Sequence, residues 1–130
     1  MTKKDHITYW IESSQEDWGR AEMCFNNKDY VFGLFCLHLC AEKLSKALWV
    51  KENESDFPPR IHNLLILLEK SSLILTEHQL KFLSQLNTFQ LEGRYPDYQR
   101  KIYHAATPEL VDEFLIEAKT LKQCILEKLA

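Results

Sequence analysis

At 130 residues the chain has the length of one domain, and 45% apolar with 27% charged residues is the make-up of an ordinary globular protein. Nineteen Asp and Glu against sixteen Lys and Arg leave a net charge of −3, which excludes nucleic-acid affinity carried by a global basic excess and confines any such role to a local patch. No stretch reaches the roughly 20 uninterrupted apolar residues of a membrane-spanning helix, and Lys3 and Lys4 have no apolar run behind them, so no secretory signal is expected and the expected location is cytoplasmic.

Only three glycines and four prolines leave few places to turn, and the prolines fall where helical periodicity stops, so the chain reads as all-α, a bundle of about five helices forming one domain over residues 1–130. The first helix is expected from about His6 to Asn27, with Ile7, Trp10, Ile11, Ser14, Trp18, Ala21, Cys24 and Phe25 recurring every three or four residues. Asn26–Asp29 is the turn, and the Asp29 carboxylate is expected to cap the helix that follows. That second helix, about Tyr30 to Glu54, is apolar nearly all round in its first half. It changes character at Glu42, which forms an i, i+4 pair with Lys46, and one face is expected to reach solvent or a ligand there.

A proline-terminated loop follows, and Leu64 to Leu68 mark a short third helix, about His62 to Lys70. Thr76-Glu77-His78-Gln79 has the form of a capping box and opens a fourth helix, to about Phe89, with Leu80, Leu83, Leu86 and Phe89 as its stripe. Gly93 to Ala106 reads as irregular or weakly helical. Thr107-Pro108-Glu109 supplies a cap and a first-turn proline for the last helix, whose apolar face runs Leu110, Phe114, Ala118, Leu121, Ile125 and Leu129. The four cysteines sit in apolar helical patterns and read as core thiols in a reducing compartment, with no metal site or other cofactor expected.

Four short motifs stand in a particular order. A long helix with paired aromatics precedes Asp29-Tyr30, and the next helix ends Ala41-Glu42-Lys43-Leu44-Ser45-Lys46-Ala47-Leu48. Pro59-Arg60-Ile61-His62-Asn63-Leu64 and Gly93-Arg94-Tyr95-Pro96-Asp97 come after it. From about Tyr9 to Leu129 the chain resembles the HEPN family, small helical domains often encoded beside a nucleotidyltransferase. The resemblance implies an up-and-down helical bundle, usually dimeric, that binds nucleotides or RNA. Many members are metal-independent ribonucleases that act as toxins in toxin-antitoxin pairs.

The ribonuclease members use an arginine and a histidine with four to six residues between them. Here one residue separates Arg60 from His62, three separate Arg100 from His104 and nine separate Arg94 from His104, so none matches. Spacing matters because 2′-hydroxyl attack on RNA needs a base near neutrality and a cation beside the developing phosphorane charge, both against one phosphate. In a helix, Arg100 and His104 would share a face and approximate that arrangement; otherwise both are solvated loop residues.

Other candidates carry two readings each. Lys43 and Lys46, one turn apart, either meet a phosphate together or solvate the helix end and pair with Glu42. Arg94 and Tyr95 either clamp a phosphate and stack a base, or pair with a carboxylate and plug the bundle. His62 reads as a helix-start residue that caps or packs, and His38 as a hydrogen-bonded core histidine. The aromatics of the first two helices exceed what five modest helices easily hide, so a homodimer is expected to cover part of them.

The expected function is therefore a dimeric nucleotide- or RNA-binding module working with a separately encoded nucleotidyltransferase, its ligand held by Lys43, Lys46, Arg94 and Tyr95. The competing expectation is a ribonuclease toxin using Arg100 and His104. Arg94→Ala and Lys46→Ala are each expected to weaken binding with little effect on folding.

Overall fold

The computed structural model describes residues 1–92, 101 and 103–130, and every described regular element is a helix. Helix α1 spans Lys3–Asn26 and starts earlier than its apolar stripe suggests. Thr2 is its N-cap: the Thr2 Oγ1 accepts from the Asp5 amide at 3.1 Å, while the Thr2 amide donates to the Asp5 carboxylate at 2.9 Å.

The turn out of α1 is built by backbone alone. The Lys28 amide donates to Phe25 O at 3.1 Å and the Asp29 amide to Cys24 O at 2.8 Å, with Lys28 in the left-handed region at φ 61°. This pairing satisfies two orphan carbonyls of α1 and reverses the chain at once, although a residue with a Cβ sits where glycine is usual. It also explains why the Asp29 carboxylate makes no capping hydrogen bond: its backbone, at φ −92° and ψ 75°, is outside the extended region from which an N-cap side chain reaches back.

Helix α2, Tyr30–Glu52, runs antiparallel to α1, since Lys3 at the start of one touches Val50 and Asn53 at the end of the other. Gly33 permits the close approach: a Cβ there would lie 2.6 Å from Phe25 Cδ1 and 3.1 Å from Cys24 Cβ. Helix α3 is only Leu64–Leu68, capped by the Asn63 side chain on the Leu65 amide. Helix α4, Glu77–Glu92, opens on the expected capping box, with Thr76 and Gln79 exchanging hydrogen bonds of 2.9 and 3.1 Å. Its buried stripe is Gln79, Phe82, Leu83, Leu86 and Phe89, while Leu80 faces out. Helix α5, Pro108–Leu129, carries the Thr107 cap and Pro108 in its first turn. Lys101 and Tyr103–Ala105 are helical.

Helix α2 is the axis of the bundle, packed by α1, α3, α4 and α5. Leu34, Leu37, Leu44 and Leu48 meet Leu64, Leu68, Leu83, Leu86, Phe114, Leu121 and Ile125 in one core, where Phe114 receives Phe82 and Phe89 edge-on at 5.2 and 5.9 Å. One chain thus supplies most of the cover for α2. Tyr9, Met23 and Phe32 remain exposed on α1 and α2. Among the described residues no helix is long and apolar enough to cross a membrane.

Candidate functional site

Much of the second half of α2 is buried, where its charges suggest a face turned to solvent or a ligand. Ala41, Glu42 and every residue from Leu44 to Leu48 are buried. Glu42 and Lys46 are only 5% and 7% exposed, and these values make the pair an interior one. Their carboxylate and ammonium lie 3.0 Å apart through Oε2. Burying two charges is costly unless remaining lone pairs are also met, and the other carboxylate oxygen is: His62 Nδ1 lies 2.9 Å from Glu42 Oε1. His62 is therefore not the cap of α3, a place Asn63 takes, but a half-exposed ring braced by a buried carboxylate.

The same face of α2 carries His38, one turn before Glu42 and fully buried. Its Nε2 lies 3.2 Å from Asn87 Oδ1 on α4. That oxygen also accepts from the Leu64 amide at 3.0 Å, and the Asn87 amide group donates to Asn63 Oδ1 at 2.9 Å. The asparagine orientation that satisfies both neighbours makes Oδ1 an acceptor, so His38 Nε2 is the N–H donor and its Nδ1 carries the lone pair. Nδ1 has no hydrogen-bond partner and sits 3.9 Å from Glu42 Oε1. Burial pushes the ring down to about 4, against the opposing pull of the Asn87 hydrogen bond and Glu42.

A polar node thus runs through the bundle from α4 to the mouth at His62. On the α1 side the Lys46 ammonium lies 5.6 Å from the half-buried Trp10 ring, within cation–π range, and Tyr9 abuts Trp10 at 5.3 Å. Lys43 points elsewhere. Its ammonium is 2.6 Å from Oδ2 of the buried Asp17, off the hydrogen-bond angle, while Arg20 donates to Asp17 Oδ1 at 2.8 Å. The two lysines therefore engage separate carboxylates rather than one shared anion.

His104 is exposed beside the Tyr103 ring, 5.8 Å away. Arg94, Tyr95 and Arg100 lie outside the described residues. Cys36 and Cys40 are buried thiols pushed up by desolvation to about 11 and about 12, which keeps them protonated. No group of three or more His, Cys, Asp or Glu among the described residues is arranged to hold a metal ion.

Sequence reasoning passed over Asn63 and Asn87 and took His62 for a helix-start residue. One local signal was available: His38, Glu42 and Lys46 recur at four-residue intervals on one face of an otherwise apolar helix.

Comparison with known proteins locates the chain. The model of the HEPN domain family matches residues 7–129. No curated protein matches significantly. Among solved structures, the crystal structure of TT1696 from Thermus thermophilus is similar, with a TM-score of 0.79 at 21% identity, covering 94% of this chain and 97% of that one.

Proposed function

The chain belongs to the HEPN family, and from that premise we propose that it is a binding module for a phosphate-bearing nucleotide or single-stranded RNA, working as a homodimer beside a separately encoded nucleotidyltransferase. The observation that carries the reading is the buried Glu42 and Lys46 pair, which reaches the surface through the half-exposed His62. A bundle of this size gains little from interior charges that apolar residues of the same volume could replace, and such clusters concentrate at functional sites. The Arg94-Tyr95 motif is the phosphate-clamping and base-stacking partner in this reading. The ribonuclease reading has less support, since no arginine and histidine carry the family's spacing.

Arg94→Ala and Lys46→Ala should each weaken binding of ATP or a short single-stranded RNA by about 1–3 kcal/mol, the range of a charge-assisted hydrogen bond. Calorimetric titration checks this, with each variant first shown by circular dichroism to be folded. Unchanged affinity in both folded variants would make these residues structural, and no binding by the native chain would overturn the reading itself. Dimerisation has its own check. Sedimentation at micromolar concentration should give about twice the chain mass, and replacing the exposed Met23 and Phe32 with serine should return it to one.

A further inference from the structure

The chain leaving α2 wraps around a single positive charge. Lys3 Nζ lies 2.9 Å from Val50 O, 2.8 Å from Asn53 O, 3.2 Å from Glu54 O and 3.3 Å from Ser55 O, with the Asp56 carboxylate at 2.9 Å. Four backbone carbonyls and one carboxylate converge on one point from a stretch of seven residues. An ammonium has three N–H bonds, so five oxygens exceed what it can satisfy by directed hydrogen bonding. What holds them is charge, and the geometry is that of an oxygen cage around a large, weakly hydrated cation, in which carbonyl dipoles replace the hydration shell. Three features of the fold assemble the cage. Val50 belongs to the last turn of α2, where carbonyls have no helical partner and the helix dipole is negative. Asn53 breaks the helix in an extended conformation, φ −126° and ψ 159°, which turns the following carbonyls back. The Asn53 side chain donates to Trp49 O at 2.8 Å and fixes that break.

We propose that residues 50–56 form a monovalent-cation site of the potassium and ammonium class, whose resident ion is the Lys3 ammonium, and that a free ion of that class enters when this side chain is removed. The cage shares no residue with the Glu42 node and needs no ligand bound there. Its role in the native chain is to hold the exit of α2, and with it the start of the 53–63 segment that carries His62 to Glu42. Without a cation the cage oxygens repel one another and the segment opens.

The experiment is a thermal melt of the native chain and of Lys3→Ala in chlorides of potassium, ammonium, lithium and choline at equal ionic strength. The Lys3 side chain is more than a third exposed, so the variant folds, with a midpoint lowered by about 4 °C in choline. Potassium and ammonium should each restore at least half of that loss while lithium and choline restore none, because only an ion that binds the folded state shifts the midpoint. The native chain, its cage filled, should melt alike in all four salts. Adding Asp56→Asn to Lys3→Ala should abolish the recovery. Equal melting of Lys3→Ala in all four salts, or recovery that survives Asp56→Asn, would overturn the proposal.

Discussion

Lys46→Ala should lower the unfolding free energy by about 3–5 kcal/mol, the loss that follows when one partner of a buried ion pair is removed and the other stays behind. Here the stranded group is Glu42, 5% exposed, with His62 as its remaining side-chain hydrogen-bond partner. Burial therefore revises the expectation that this substitution spares the fold. Urea unfolding followed by circular dichroism gives the number, and a loss under about 1 kcal/mol would mean that water reaches the pair and that it behaves as a surface one. Replacing both partners, Glu42→Gln with Lys46→Met, should cost less than Lys46→Ala alone, since no uncompensated charge then remains in the interior.

Acid should act on His38. Its folded-state value of about 4 lies below the usual 6.5, so between these two pH values the unfolded chain holds a proton that the folded chain lacks. Stability then rises with pH across this window, and the contribution is lost as pH falls from about 6.5 toward 4, amounting to about 3 kcal/mol. Two other ionisable side chains stand close to the ring: Glu42 on the same helix and His62 on the segment before α3. The contribution of His38 is therefore read as a difference. His38→Gln keeps an N–H for Asn87 Oδ1 and removes the titration, so its stability should vary with pH much less than that of the native chain in this window. Parallel slopes for the two proteins would show that the buried imidazole is not the source.

The helices were legible where their signals are local. Thr76 with Gln79, and Thr107 with Pro108, set helix starts within three residues, and both starts lie where the sequence puts them. The start of α1 was missed for the opposite reason: Thr2 and Asp5 form a capping box, but Lys3 and Lys4 carry no apolar period to attach it to. Leu80 and Phe82 show a different failure. Both are apolar and two residues apart, and only the position of Phe114 across the core decides which one is buried.

The site was legible in its residues but not in its pairings. Glu42 and Lys46 announce an ion pair at i, i+4, and charge by itself implies solvent. Their burial depends on the His62 segment folding over Glu42 and on α1 bringing Trp10 to Lys46, contacts between residues distant in sequence. Lys43 was grouped with Lys46 by spacing, yet it meets the buried Asp17 of α1 while Lys46 meets Glu42. His38 was legible as a core histidine. The identity of its partner, Asn87, was not, because an asparagine on an amphipathic helix carries no mark of the ring it will meet.

The tight turn between α1 and α2 has a consequence in time. Joining the two longest helices by Asn27–Asp29 makes their pairing a local event with little loop-closure entropy against it. The contacts of the polar node are of another kind: Glu42 and His62 are 20 residues apart in sequence, and His38 and Asn87 are 49 apart. The hairpin therefore forms early, and the node closes only when the later helices dock. The node can also part while the hairpin stays intact, so the segments that bring His62 and Asn87 to α2 are the ones free to open on their own.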